Sequence, residues 1–227
     1  MNIGPYATLN AAKQALPGYC LFCLIRHGET DWNAARKLQG HSNTSLNAKG
    51  RIQAAAIAQK LAPETFDSLY SSDMRRALQT ADSIAHTTGL AIHSTNQLRE
   101  RHYGIFQGLT HAEAAEHYPE EFACHTQRNP DYQPPSNGES LNHLAHRLNI
   151  WFQSIAQQHR NQTVLIITHG GVLDILYRFT TGMGLSEPRH FALPNAALNW
   201  IACNGSHWQM LAWADSRQDQ ARDEVTR

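Results

Sequence analysis

Two short, unbroken apolar runs, each ending in a histidine, set the tightest limit on how this chain folds. Tyr19-Cys20-Leu21-Phe22-Cys23-Leu24-Ile25 leads into Arg26-His27-Gly28, and Val164-Leu165-Ile166-Ile167 leads into Thr168-His169-Gly170-Gly171. Runs this short, with no polar alternation, suit strands buried on both faces, as in a parallel sheet covered by helices on each side.

The segments between them supply those helices. Asn47 reads as the N-cap of an alanine-rich helix over 48–61, stopped by Pro63. Residues 67–71 read as a second strand, Asp73 as the cap of a helix ended by Gly89, and residues 91–93 as a third strand. A helix over 140–159 carries Leu141, Leu144, Leu148, Trp151, Phe152 and Ile155 on one face. A helix over 172–180 follows the second histidine motif, and two closing strands, over 198–203 and 208–213, meet through Asn204-Gly205. Alternating strands and helices predict a three-layer α/β/α sandwich with a mostly parallel central sheet. Residues 1–18 read as an N-terminal extension and 19–213 as one domain with a lid-like insertion around 105–138. Residues 214–227 read as a polar tail.

Composition excludes several partners. With 19 Lys+Arg against 19 Asp+Glu, the formal net charge is +0, which leaves no bulk field to hold nucleic acid or an anionic membrane. No apolar run is long enough to span a bilayer and the N-terminus lacks a signal-peptide pattern, so a cytoplasmic location is expected. Cys20 and Cys23 lie three apart in a strand, face opposite sides, and so cannot share a metal or a disulfide. Glu139, His143 and His146 have metal-ligand spacing, but on the solvated face opposite the leucine stripe.

Ligands of open α/β sheets collect outside the carboxyl ends of the strands. There the first run delivers Arg26 and His27, the second strand leads to Arg75-Arg76, the later run ends in His169, and the loop after the third strand carries Arg99-Glu100-Arg101. Two imidazoles, arginine forks and one carboxylic acid at a single sheet edge suit phosphoryl transfer. Guanidinium matches phosphate oxygens, imidazole nitrogen can attack phosphorus, and Gly170-Gly171 lets a helix N-terminus approach an anion. In an extended loop Arg99 and Arg101 would point away from Glu100.

At these residues the chain resembles the histidine phosphatase superfamily, which includes the cofactor-dependent phosphoglycerate mutases. The resemblance is carried by Leu24-Ile25-Arg26-His27-Gly28-Glu29-Thr30 with Trp32-Asn33, by Ser71-Ser72-Asp73 with Arg76-Ala77 and Thr80-Ala81, by Glu100-Arg101-His102-Tyr103-Gly104 with Gln107-Gly108, and by Thr168-His169-Gly170. It implies a phosphohistidine on His27, with Arg26, Arg76, His169 and Gly170 around the phosphoryl oxygens, and Asn33, Thr30 and Tyr103 as further contacts. Glu100 would be the general acid and base. No metal or cofactor is implied, and Glu29 and His102 read as scaffolding. Trp32 is expected near the site.

Within the resemblance, the lysine expected of mutases appears as His111, and only Arg128 precedes Pro134-Pro135. Asn43 stands where relatives place an acid and reads as a structural change. The expectation is therefore a metal-independent phosphomonoesterase acting on a small phosphorylated metabolite, with a homodimer compatible. The alternatives are a phosphoglycerate mutase and a non-catalytic phosphate-sensing protein.

Overall fold

The computed structural model describes residues 3–214, so the polar tail expected at 214–227 falls almost wholly outside the described residues. Six strands form one sheet: β1 (Cys20–Arg26), β2 (Ser68–Ser72), β3 (Ile92–Thr95), β4 (Thr163–Thr168), β5 (Leu198–Cys203) and β6 (Trp208–Ala212). Their order is β3-β2-β4-β1-β5-β6. The first four run parallel to one another, while β5 pairs antiparallel with both β1 and β6.

Helices α1 (Leu9–Ala15), α2 (Asp31–Ala34), α3 (Ala48–Leu61), α4 (Arg75–Thr88), α5 (His111–His117), α6 (Pro119–Thr126), α7 (Leu141–Gln158) and α8 (Gly170–Thr181) complete the chain. Leu21, Cys23 and Ile25 pack with residues of α1, α3 and α4 on one face of the sheet. Cys20, Phe22 and Leu24 pack with α7 and α8 on the other. This alternation makes β1 apolar from Cys20 to Ile25, and it puts Cys20 and Cys23 in different layers.

The N-terminal segment is part of the core: Ile3, Leu9 and Ala12 are buried beside Leu211. The 105–138 stretch holds α5 and α6 around a small apolar cluster of its own, centred on Phe106, Ala114 and Phe122.

Helix starts differ from expectation at two places, both at the sheet edge. Asn47 does cap α3, accepting from Gly50 N. Asp73, however, does not cap α4; Met74 takes the N-cap position without a side-chain bond. Asp73 is instead gripped by Arg99, whose Nε and Nη2 lie 2.7 and 2.6 Å from its two oxygens. The missing cap comes from a distant loop, because Asn43 Oδ1 accepts from Arg75 N at 2.7 Å. Through that oxygen the Asn43 side chain closes the start of the helix that carries Arg76, a contact an acid at this position could also make. Helix α8 begins at Gly170, two residues earlier than expected, with His169 at its N-cap, so both glycines lie in its first turn.

Candidate active site

Because β1, β2, β3 and β4 are parallel, their carboxyl ends share one edge, and the segments that follow them carry the predicted residues to it. Gly28 presses against α3, where a Cβ would come 2.4 Å from Gly50 O, so only glycine permits this turn of the chain after His27. Thr80 Oγ1 accepts from Gly28 N and donates to Arg76 O, joining the turn to α4.

His27 is 2% exposed and its Nδ1 lies 2.7 Å from Gly28 O. A carbonyl can only accept, so Nδ1 carries the proton and Nε2 presents a lone pair. Arg76 Nε donates to that Nε2 at 3.2 Å, while its other nitrogens are fixed on Ser42 O and Gly40 O, both at 2.8 Å. Burial, then the charges of Arg76 and Arg26, hold the His27 pKa well below the usual histidine range. The same causes depress His169, whose ring centroid stands 5.1 Å from that of His27. Burial lowers the Arg76 guanidinium to about 10, still charged at neutral pH.

Two polar atoms at this place have no partner. Arg26 binds Leu193 O through Nη1, yet its Nε is buried and unpaired; His169 meets Ser72 Oγ through Nε2 at 2.8 Å, yet its Nδ1 is buried and unpaired. Orphaned buried groups cost roughly 1–3 kcal/mol each and call for a ligand. A bound oxyanion would satisfy them.

Glu100 lies across the pocket, 7% exposed. Both its oxygens sit 3.0 Å from Gly171 N, and Oε1 also accepts from Arg101 N. The flanking guanidiniums are turned away, Arg99 to Asp73 and Arg101 to Glu139 O. His41 Nε2 donates to the Glu100 carbonyl at 2.9 Å, and Arg147 ties the loop to α7 through Gln97 O and Arg99 O.

The structure thus brings His27, Arg26, Arg76, His169, Glu100 and Gly170 to one edge, with Tyr103 in the adjoining pocket wall. Thr30 and Asn33 meet one another instead, in a capping box around α2 that engages the Thr30 hydroxyl and Asn33 Oδ1. Trp32 packs over Gly108 and is absent from the pocket wall. Glu29 pairs with Lys49 and Asn47, and His102 accepts from Gly104 N, both scaffolding as expected. Glu139 is paired with Arg147, and no metal-ligand cluster occurs among the described residues.

Three contributors were not assigned roles from sequence. Ser72 holds His169, Asn195 Nδ2 donates to His27 O at 2.7 Å, and Asp174 anchors Arg128 and Arg178. Ser72 lay within a recognised motif; Asn195 and Asp174 had no local signal.

The depressed imidazoles make acid stability predictable. An unfolded histidine takes a proton near pH 6.5, whereas folded His27 and His169 take theirs well below that, and His125 at about 4. Below about pH 6.5 the unfolded chain binds more protons, so stability is full above that pH and falls as pH drops. Each such group contributes up to about 1.4 kcal/mol per pH unit until its folded pKa is reached. Urea unfolding at pH 7.5 and 5 should show a lower midpoint at pH 5; equal midpoints would contradict the neutral-imidazole description.

Fold and pocket have the form of an α/β phosphoryl-transfer enzyme. A sequence model of the histidine phosphatase superfamily (branch 1) matches residues 22–216, and the chain belongs to that superfamily. It is 38% identical over 195 residues to the metal-independent phosphoserine phosphatase of Arabidopsis thaliana, covering 85% of this chain and 80% of the relative. It is 36% identical over 200 residues to phosphoglycerate mutase-like protein 4 of the same plant, covering 87% and 86%. The solved phosphoserine phosphatase of Entamoeba histolytica, in complex with 3-phosphoglyceric acid, matches with a TM-score of 0.77 at 25% identity, over 86% of this chain and 97% of that one. The chain is a phosphomonoester hydrolase of this superfamily.

Proposed function

We propose that this phosphatase hydrolyses small phosphomonoesters in two steps, through a phosphohistidine on His27. The lone pair of His27 Nε2 attacks phosphorus in line as the bond to the leaving oxygen breaks, and Glu100 gives that oxygen its proton. Water then enters, Glu100 takes its proton, and the P–N bond breaks to release inorganic phosphate and regenerate His27. Arg26, Arg76, His169 and the N-terminus of α8 at Gly170 hold the non-bridging oxygens as charge shifts. Asn33, whose capping bonds engage only Oδ1, adds an amide donor, and Thr30 sets its orientation.

The observation that carries this reading is the neutral, buried His27 with Nε2 presented beside Arg76 and the unpaired Arg26 Nε and His169 Nδ1. Hydrolysis rather than mutase chemistry is favoured because Arg128, the cation preceding Pro134-Pro135, is engaged by Asp174 and Leu185 O. The insertion at 105–138 serves as the lid over the leaving group. Among the described residues no helix is long and apolar enough to cross a membrane.

Rapid acid-free denaturation during turnover of a labelled aryl phosphate should yield an acid-labile, base-stable phosphopeptide containing His27, with chelators leaving turnover unchanged. Label on any other residue, or loss of activity with chelator, would overturn the mechanism.

A further inference from the structure

Arg76 and Glu100 come from different parts of the chain, α4 and the loop after β3, yet one tripeptide touches both. Gly40 O and Ser42 O accept from Arg76 Nη2 and Nη1, both at 2.8 Å. The residue between them reaches the other group: His41 Nε2 lies 2.9 Å from Glu100 O. A carbonyl only accepts, so His41 Nε2 carries a proton whatever the charge of the ring.

The tripeptide is itself held in place. Gln107 Oε1 accepts from His41 N at 2.7 Å, and on the far side of Ser42 Asn43 Oδ1 accepts from Arg75 N. Thr44 Oγ1 donates to Gln39 Oε1 at 2.6 Å, closing the loop across its base. The His41 ring stands edge to face with His102, centroids 4.8 Å apart, and His102 is fixed in turn by Gly104 N on its Nδ1.

The peptide that His41 meets is the one that orients the carboxylate. Glu100 C=O and Arg101 N–H share one planar unit, and that N–H donates to Glu100 Oε1 at 2.8 Å. A hydrogen bond at one end of the plane therefore sets the direction of the donor at the other. Gly171 N, the second donor to the carboxylate, lies 3.0 Å from both oxygens, so by itself it leaves the group free to pivot. Arg147 Nη2 also approaches Glu100 O, but only at 3.4 Å, its guanidinium being spent on Gln97 O, Arg99 O and Glu139. His41 is the close donor to this carbonyl.

We propose that His41 is a positioning residue for proton transfer: through the Glu100–Arg101 peptide plane it registers the Glu100 carboxyl group against the phosphoryl group held by Arg76. This rests on the reading of Glu100 as general acid and adds to it how the acid is set in place.

Two substitutions separate the hydrogen bond from the ring. His41→Phe keeps a ring against His102 and removes the donor; His41→Gln removes the ring and keeps an amide N–H for the same carbonyl. An acid matters most where the leaving group is most basic, so phenyl phosphate and 4-nitrophenyl phosphate are compared. His41→Phe should lower kcat/KM on phenyl phosphate about tenfold more than on 4-nitrophenyl phosphate, the scale expected when a general acid is displaced. His41→Gln should recover most of that loss. Inhibition by inorganic phosphate should be unchanged, because Gly40 O and Ser42 O still hold Arg76. In a Glu100→Gln background His41→Phe should cost almost nothing, since no proton remains to be positioned. His41→Ala, which lacks the donor and adds no bulk, carries the same expectations should the larger ring not fold.

No loss on phenyl phosphate, or equal losses on the two esters, overturns the proposal. So does a His41→Gln chain as impaired as folded His41→Phe, or an undiminished cost in the Glu100→Gln background. Glu100→Gln that loses equally on both esters would instead count against the acid reading itself.

Discussion

His27→Ala should lower turnover of every phosphomonoester by a factor on the order of 10⁵ or more, the scale seen when a covalent nucleophile is removed from other hydrolases. Only one role is open to this ring. Its Nδ1 proton is fixed on Gly28 O, its Nε2 lone pair faces the place where Arg76, Arg26 and His169 converge, and burial keeps it neutral. Neither of its nearest polar neighbours can replace it, because Arg76 stays protonated and His169 is tied to Ser72. Phosphate affinity should survive better than turnover, since the arginines proposed to hold the anion remain. Steady-state rates, product-inhibition constants and circular dichroism measured together separate the two effects. A folded His27→Ala protein that still hydrolyses aryl phosphate at a rate near wild type would refute the nucleophile assignment.

The histidine-ended apolar runs were legible in sequence because burial on both faces removes the polar alternation that other strands show. β1 and β4 lie at the centre of the sheet, and every residue of β1 except Arg26 is buried. Edge strands were harder: β3 alternates little and lies one to two residues later than its composition indicated. The Asp73 misassignment has a clear cause. An aspartate before a helix is a good cap in isolation, but here it faces a bidentate arginine, and a charge-assisted pair outcompetes a single amide. The packed helix α1 went unseen because its few apolar side chains gain meaning only against β5, β6 and the α3–α4 layer.

At the site, residues attached to strand ends could be read and residues attached to long-range contacts could not. Arg26, His27 and His169 follow their strands directly, so topology alone brings them together. Asn195 reaches His27 O across 168 positions of sequence, and Asn43 reaches Arg75 N across 32. No spacing rule encodes such contacts, because they depend on where two loops of irregular chain come to rest.

Glu100→Gln should separate the two chemical steps. The amide preserves shape and can still accept from Gly171 N and Arg101 N through its oxygen, so the loop keeps its place. What disappears is the proton to give and the base to receive one. For an alkyl phosphate, whose leaving alkoxide needs that proton, phosphorylation of His27 should slow by about 10²–10⁴-fold, the usual worth of a general acid. For 4-nitrophenyl phosphate the leaving phenolate needs little help, so phosphorylation should stay fast while attack by water, now without a base, becomes slow. The variant should then show a burst of about one equivalent of nitrophenol, followed by a slow steady state, and should accumulate phosphohistidine. Equal losses on aryl and alkyl substrates without a burst would assign Glu100 to binding instead. Gly171→Ala offers an independent route to the same carboxylate, because its Cβ would fall 2.2 Å from Glu100 Oε1 and displace it. That variant should share the larger loss on alkyl substrates, since a general acid moved by even about 1 Å loses much of its effect.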